Sequence, residues 1–229
     1  MDVRFFTRIG GVSEPPFDSL NVSKKVGDSS ENVEENLMRI KAATGGYPSA
    51  WVDQVAGKDV VEVDSGGFAG VADALITSEK DLSLAIGVAD CAPVALVGES
   101  SIGMVHSGWR GTLAGISGEA VKKMRGSFGE IPAAYIGPCI RRCCYEVSEE
   151  IAGDFAREFG EEVVSGRRLS IPDAIIVDLK RAGVEEIYDT GLCTGCRGDL
   201  FFSHRTQKPE TGRNLCVVVR RSENPGGNS

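Results

Sequence analysis

Cys91 and His106 are the two side chains whose types and spacing bring reactive chemistry closest together in this sequence. Each borders a short β-type run. Cys91 precedes Ala92-Pro93-Val94-Ala95-Leu96-Val97, and His106 closes Ile102-Gly103-Met104-Val105. The polar turn Gly98-Glu99-Ser100-Ser101 between them is of the kind that joins neighbouring strands. Antiparallel pairing carries the thiol and the imidazole to the same end of a sheet. A cysteine and a histidine so placed can serve as nucleophile and base, or as two ligands of a zinc ion. The competing reading is a buried structural cysteine beside an ordinary histidine, since free cysteine is among the most buried residue types. Gly108, Arg110 and Gly111 crowd the histidine, and the end of a core strand has little need of them.

The elements that must position this pair read as follows. Val3 to Ile9 predicts an opening strand, and Gly10-Gly11 a turn. A helix is expected from Ser30 to Ala43, with Val33, Leu37 and Ile40 as its apolar stripe. Trp51 to Val55 and Val60 to Val63 read as a hairpin about Ala56-Gly57-Lys58-Asp59. Apolar runs follow at 74–77 and 84–88, before the Cys91 stretch. After Thr112 an amphipathic helix is expected, with Leu113, Ile116, Ala120 and Met124 on one face. Gly108 to Thr112 would then be a loop leading into a helix N-terminus, which favours anions. Further helices are expected over 149–159 and 171–182, and strands over 134–136, 186–188 and 214–220. Strands joined directly to strands favour a mixed-sheet α+β fold over a doubly wound one. We read 1–222 as a single domain and 223–229 as a polar, Gly-rich flexible tail.

Composition narrows the function. The chain has 229 residues, 41% of them hydrophobic, and a formal net charge of −8, which argues against a general nucleic-acid or anionic-membrane binder. No stretch approaches the roughly 18 apolar residues needed to span a bilayer, and the N-terminus lacks the form of a signal peptide. A cytoplasmic protein is expected. Seven cysteines without an export signal predict reduced structural thiols rather than a disulfide framework. Cys193-Thr194-Gly195-Cys196 could be half of a zinc site or a redox pair, but the usual second CxxC is absent. Only two histidines exist, His106 and His204, too few for a conventional multicopper oxidase.

Taken in order, several segments resemble the laccase-domain (YfiH-like) family, also described as multicopper polyphenol oxidase-like or peptidoglycan editing factor proteins. They are Thr7-Arg8-Ile9-Gly10-Gly11-Val12-Ser13, Ser19-Leu20-Asn21, Ala89-Asp90-Cys91-Ala92-Pro93-Val94 and His106-Ser107-Gly108-Trp109-Arg110-Gly111-Thr112. Gly137-Pro138-Cys139-Ile140, Cys144-Tyr145-Glu146-Val147, Phe202-Ser203-His204-Arg205 and Thr211-Gly212-Arg213 continue the match.

The resemblance implies a mixed β-sheet sandwich with flanking helices that phosphorolyses adenosine, inosine and methylthioadenosine, with adenosine deamination in some members. Its partners would be a purine nucleoside and phosphate. It also implies zinc held by His, Cys and His, in which Cys91 matches the cysteine and His106 the second histidine; copper is the lesser alternative. The family's Gln-Val-His-Gly appears here as Gln54-Val55-Ala56-Gly57. Ala56 therefore stands at the first zinc histidine, and a methyl group ligates nothing. Arg110, with Arg8 second, would hold phosphate through its planar fork of donors. Asn21 would contact sugar or base, and Asp90 would orient His106, carry a proton or cap the backbone. The expectation is an impaired zinc phosphorylase. The alternatives are a metal-free thiol hydrolase on peptidoglycan precursors, with Cys91 and His106 as its pair, and an inactive nucleoside-binding module.

Overall fold

The structure is a computed structural model that describes residues 1–207 and 210–222; the segment 223–229, expected as a tail, lies outside the described residues. In chain order the first elements are β1 (Asp2–Phe5), α1 (Ser30–Ala43), β2 (Ser49–Asp53), β3 (Val60–Glu62), β4 (Gly67–Val71), β5 (Ala74–Thr77) and β6 (Ser83–Val88). The central group is β7 (Ala92–Val97), β8 (Ile102–Ser107), α2 (Trp109–Leu113), α3 (Ile116–Phe128) and β9 (Ala133–Ile136). There follow α4 (Glu149–Phe159), β10 (Val164–Ser165), β11 (Arg168–Leu169), α5 (Ile171–Arg181), β12 (Ile187–Asp189) and β13 (Asn214–Val219).

Two mixed sheets form the frame: a five-stranded one in the order β1-β13-β6-β2-β4, and a six-stranded one in the order β12-β9-β7-β8-β5-β3. Their facing sides share a core in which Leu84, Ile86 and Val218 meet Leu75, Ala95, Ile102 and Met104. The other side of the six-stranded sheet carries Ile76, Val94, Leu96 and Val105 against Ile116 and Met124 of α3, Phe155 of α4 and Ile175 of α5. The outer side of the five-stranded sheet packs Ala85 and Val217 on Ile40 of α1. The result is a mixed β-sheet sandwich with flanking helices. It also explains the unbroken apolar run of β7. A strand covered on both faces has no solvent side to alternate with.

Three local expectations give way to tertiary demands. The Trp51–Val63 hairpin does not form: β2 pairs in parallel with β4 and β6, whereas β3 joins the other sheet beside β5. The connecting amides of Val55, Ala56 and Gly57 are captured by the Asp73 carboxylate instead of a facing strand. The helix expected after Thr112 starts earlier, at Trp109 with Gly108 as N-cap, and breaks at Gly115, whose φ is 76°. The opening strand ends at Phe5, and the Arg8 N–H turns to the Leu200 carbonyl at 2.8 Å. Among the described residues no helix is long and apolar enough to cross a membrane.

α1 keeps its expected bounds, capped by the Ser29 hydroxyl on the Asn32 N–H, but not its expected stripe. Leu37 is exposed, and Asn36 is fully buried in its place. The Asn36 amide accepts from the Val12 N–H at 2.9 Å and donates to Ser13 Oγ and to the carbonyls of Ser19 and Asn21. One polar side chain thus fastens the whole 12–21 loop to the helix. Asn36→Ala should strand these groups and lower unfolding stability by about 2–4 kcal/mol. Met38→Ala, on the exposed face, should cost less than about 1 kcal/mol. Urea midpoints that fall equally in both variants would contradict this role.

Candidate active site

Three strand ends meet at one edge of the inter-sheet core. His106 on β8 lies opposite Pro93 of β7, and Val105 lies opposite Ala74 of β5. Continuing the register by one residue puts Asp73 across from His106, and the His106 N–H donates to the Asp73 carbonyl at 2.7 Å. Strand alternation places Cys91 on the same face as Pro93, hence diagonal to His106. The same alternation puts all three side chains on the face of Leu75, Ala95 and Met104, towards the second sheet. Gly108 marks their convergence: a Cβ there would lie 3.0 Å from Cys91 Sγ and 3.8 Å from His106 Cε1.

Asp73 organises the group. It has no solvent exposure, and its Oδ1 lies 2.7 Å from His106 Nδ1. The same carboxylate accepts the N–H groups of Val55 at 3.2 Å, Ala56 at 3.0 Å and Gly57 at 2.6 Å. Burial pushes its pKa up, but the hydrogen bonds from His106 and the backbone bring it below the ordinary carboxylate value. Burial likewise opposes charge on His106. The hydrogen bond to Asp73 and the proximity of the Cys91 thiol outweigh it and hold the imidazole pKa up at about 9. Both partners therefore favour the charged pair. With Nδ1 engaged by Asp73, Nε2 is the nitrogen left for Cys91 or for a metal ion.

The other residues singled out from sequence fall in three places. Arg110 is exposed, stacks over the Trp109 ring at 4.3 Å, and forms no side-chain hydrogen bond among the described residues. Asp90 directly precedes Cys91, but its carboxylate is occupied by Thr194 Oγ1 and the Arg205 N–H, each at 2.6 Å. Asp73, not Asp90, orients His106. Arg8 and Asn21 are engaged inside the fold. Arg8 donates to the Asp18 and Gly198 carbonyls and pairs with the Asp18 carboxylate. Asn21 binds Ser23, Asp28 and the Arg213 N–H. Both side chains fasten the first loop, and Arg8 also lines the smaller surface cleft beside Asp18.

Local pattern did not mark Asp73, Arg205 or Arg213. The one signal for Asp73 is an acid at the head of a fully buried strand. Arg213 is partly buried, which lowers its pKa, while the charges of Cys91 and Asp90 raise it. Arg205 lies over the Tyr145 ring at 5.0 Å. The Tyr145 hydroxyl is pushed up to about 12 by burial first, then by Cys91 and Asp90, with Arg205 and Arg110 opposing. Arg110 and Arg205 thus lie within electrostatic reach of Tyr145, and Arg213 within reach of Cys91 and Asp90.

The Ala56 backbone is left-handed, with φ 59°, and its N–H shares with His106 the same Asp73 oxygen. A surface cleft of about 500 Å³ lies elsewhere, between Lys58–Val60 and α3, and a smaller one of about 220 Å³ lies beside Arg8 and Asp18. Neither includes Cys91 or His106, so it is the donor set rather than concavity that marks the site. All seven cysteines are free thiols, but Cys143, Cys144, Cys193 and Cys196 bring their sulfurs within 4.8 Å of one another and could hold a metal ion.

The comparisons with known proteins agree on one family. Residues 2–221 match the family described as multi-copper polyphenol oxidoreductase laccase. The chain is 35% identical to "Purine nucleoside phosphorylase YlmD" of Geobacillus stearothermophilus, over 95% of this chain and 89% of that protein. It is also 35% identical to "Purine nucleoside phosphorylase YfiH" of Escherichia coli, over 90% and 88%. The crystal structure of YlmD from Geobacillus stearothermophilus superposes with a TM-score of 0.89 at 32% identity, covering 96% of this chain and 92% of that one. The Bacillus licheniformis YfiH crystal structure gives 0.89 at 28% identity, with the same coverage. The sandwich frame and the near-complete sequence match thus coincide, and the chain belongs to the multi-copper polyphenol oxidoreductase laccase family, among its YfiH-like proteins.

Proposed function

We propose that residues 1–222 act as one purine nucleoside phosphorylase unit whose metal position is weakened by Ala56. The observation that carries this reading is the Asp73–His106–Cys91 row with Arg110, Arg205 and Arg213 in its electrostatic neighbourhood, in a chain similar over nearly its whole length to proteins named for that activity. Phosphorolysis breaks the bond from ribose C1′ to the purine nitrogen and forms one from C1′ to a phosphate oxygen; the departing purine takes a proton. The sugar becomes cationic on the way. A phosphate held against it both attacks and stabilises that charge. Guanidinium groups suit this anion through their planar pairs of donors. Adenosine, inosine and methylthioadenosine are the proposed substrates, with adenosine deamination as a lesser activity of the same site.

Zinc is the metal this reading implies, with copper set aside because two histidines cannot build a multicopper centre. Cys91 and His106 supply two donors, and the third family position is Ala56. A catalytic zinc normally keeps three protein ligands and an open position. The residues present fall one short, so we assign no step to a bound metal. A second reading rests on one feature, the order Cys91, His106, Asp73 on one sheet face, with His106 hydrogen-bonded to Asp73. Nucleophile, base and orienting carboxylate in that order make a thiol hydrolase plausible, with peptidoglycan precursors as the substrate class.

Three outcomes test these readings. Ala56→His should add a zinc that disappears again when His106→Ala is combined with it, and should raise kcat/KM for adenosine plus phosphate by more than about 100-fold. Histidine is among the residues that tolerate a left-handed backbone, so the substitution suits the local geometry. Gain of neither metal nor turnover, with nucleoside still bound, would favour an inactive binding module. Arg110→Ala should raise KM for phosphate about tenfold or more and leave KM for nucleoside nearly unchanged. Equal shifts in both constants would reduce Arg110 to a structural role. Asp73→Asn should lower phosphorolysis about 10–100-fold. A loss near 10,000-fold in a hydrolytic activity blocked by Cys91 alkylation would instead support the thiol reading.

A further inference from the structure

The four-cysteine cluster lies apart from the Cys91–His106 row. β9 and β12 are parallel neighbours, so the loops that follow them leave the same sheet edge side by side. A bridge between Cys139 and Cys193 stitches these loops together, with the Cys139 N–H on the Leu192 carbonyl and the Thr194 N–H on the Cys139 carbonyl. Beyond the stitch, one loop presents Cys143 and Cys144, the other Cys193 and Cys196. The missing second CxxC is thus replaced by a vicinal pair some fifty residues earlier.

Three observations favour a metal over ordinary thiols. The sulfurs of Cys143–Cys193, Cys143–Cys196 and Cys144–Cys196 lie 3.4 Å apart, and all four lie within 4.8 Å. Tetrahedral zinc with bonds of about 2.3 Å sets its sulfurs about 3.8 Å apart, whereas a disulfide needs about 2.05 Å. Cys143 and Cys196 are exposed, unlike the core thiols Cys139 and Cys216, so burial does not account for them. Finally, a Cβ at Gly195 would lie 2.9 Å from Cys144 Cβ and 3.1 Å from its Sγ, so only glycine lets the loops close this far. Two guanidinium groups flank the cluster, Arg168 on the Cys143 carbonyl and Arg141 on the Leu192 carbonyl. Arg141 is also paired with the Asp189 carboxylate, so Arg168 is the guanidinium that offsets part of the negative charge of a zinc tetrathiolate.

We propose that Cys143, Cys144, Cys193 and Cys196 form a closed, structural zinc site that locks the two loops behind the Cys91 strand end. Zinc displaces the thiol protons to solvent and fills its coordination shell with sulfur, leaving no position for substrate. Thr194, inside the CxxC, donates to Asp90, the residue before Cys91, so the clamp reaches the candidate active site through one hydrogen bond. Metal analysis of the reduced, chelator-free protein should find about one zinc per chain, present also in His106→Ala and lost in the Cys193→Ser, Cys196→Ser double variant. This readout is independent of turnover, so it stands or falls apart from the phosphorylase reading. Should the double variant not fold, cobalt-loaded parent protein should show thiolate-to-cobalt charge transfer and the intense visible bands of a tetrahedral site. X-ray absorption on the zinc form should give four sulfurs at about 2.3 Å. The proposal is overturned by zinc lost in His106→Ala but kept in the double variant, by iron in its place, or by a disulfide within the cluster. Rapid alkylation of all four thiols under excess zinc overturns it equally.

Discussion

A carboxylate with no solvent exposure must be answered by donors, and Asp73 is answered by four: the His106 ring and the amides of Val55, Ala56 and Gly57. Leaving such a charge unpaired costs several kcal/mol, so the arrangement is effectively all or none. The consequences run in three directions. The imidazole is fixed with Nδ1 inward and Nε2 free. The 54–57 segment is drawn out of a hairpin and across from one sheet to the other. And the position of Ala56 is tied, through a shared oxygen, to the position of His106.

Two of the three non-glycine residues with positive φ among the described residues flank this carboxylate; the third, Asp81, lies elsewhere. Ala56 and Asp90 both have positive φ, at 59° and 86°. For an L-residue the left-handed region costs on the order of 1–2 kcal/mol, and alanine has no side chain that recovers it. Here the recovery comes from outside: Asp73 holds the amide of Ala56, while Thr194 and Arg205 hold the carboxylate of Asp90. Non-glycine residues in such conformations cluster at functional sites because the surrounding fold over-determines them. The loop geometry that would present a ligand at position 56 is therefore kept by Asp73, whatever side chain stands there.

Charge is distributed as unevenly as strain. The chain carries a net −8, yet Arg110, Arg205 and Arg213, from three separate segments, lie within electrostatic reach of the Tyr145, Cys91 and Asp90 region. Net charge governs long-range association, whereas a local cluster against a partly buried wall governs which small anion is held. The cysteine clamp sits behind the same end. Its loops carry Thr194, and the neighbouring Arg205 stacks on Tyr145, which follows directly on Cys144. The cluster, the arginines and the Cys91 strand end are consequently one connected region.

What the sequence determined by itself was short-range. Two apolar runs about a polar turn put Cys91 and His106 at one sheet end, because a hairpin needs only local chemistry. Ser29 marked the start of α1, and Ile151, Phe155 and Phe159 at helical spacing marked α4. The tertiary structure decided whatever depended on distant partners. Trp51–Val63 reads as a hairpin until Asp73 takes the turn amides from sixteen to eighteen residues away. Arg8 and Asn21 read as candidate anion and hydroxyl ligands until the Gly198 carbonyl accepts from Arg8 and the Arg213 N–H donates to Asn21, some 190 residues along the chain. Cys143-Cys144 and Cys193-x-x-Cys196 read as unrelated thiols until parallel β9 and β12 bring them to one edge. Periodicity and capping are written within a turn or two of chain. Hydrogen-bond partners and ligand sets are chosen only when the sheets close, and no local pattern carries that choice.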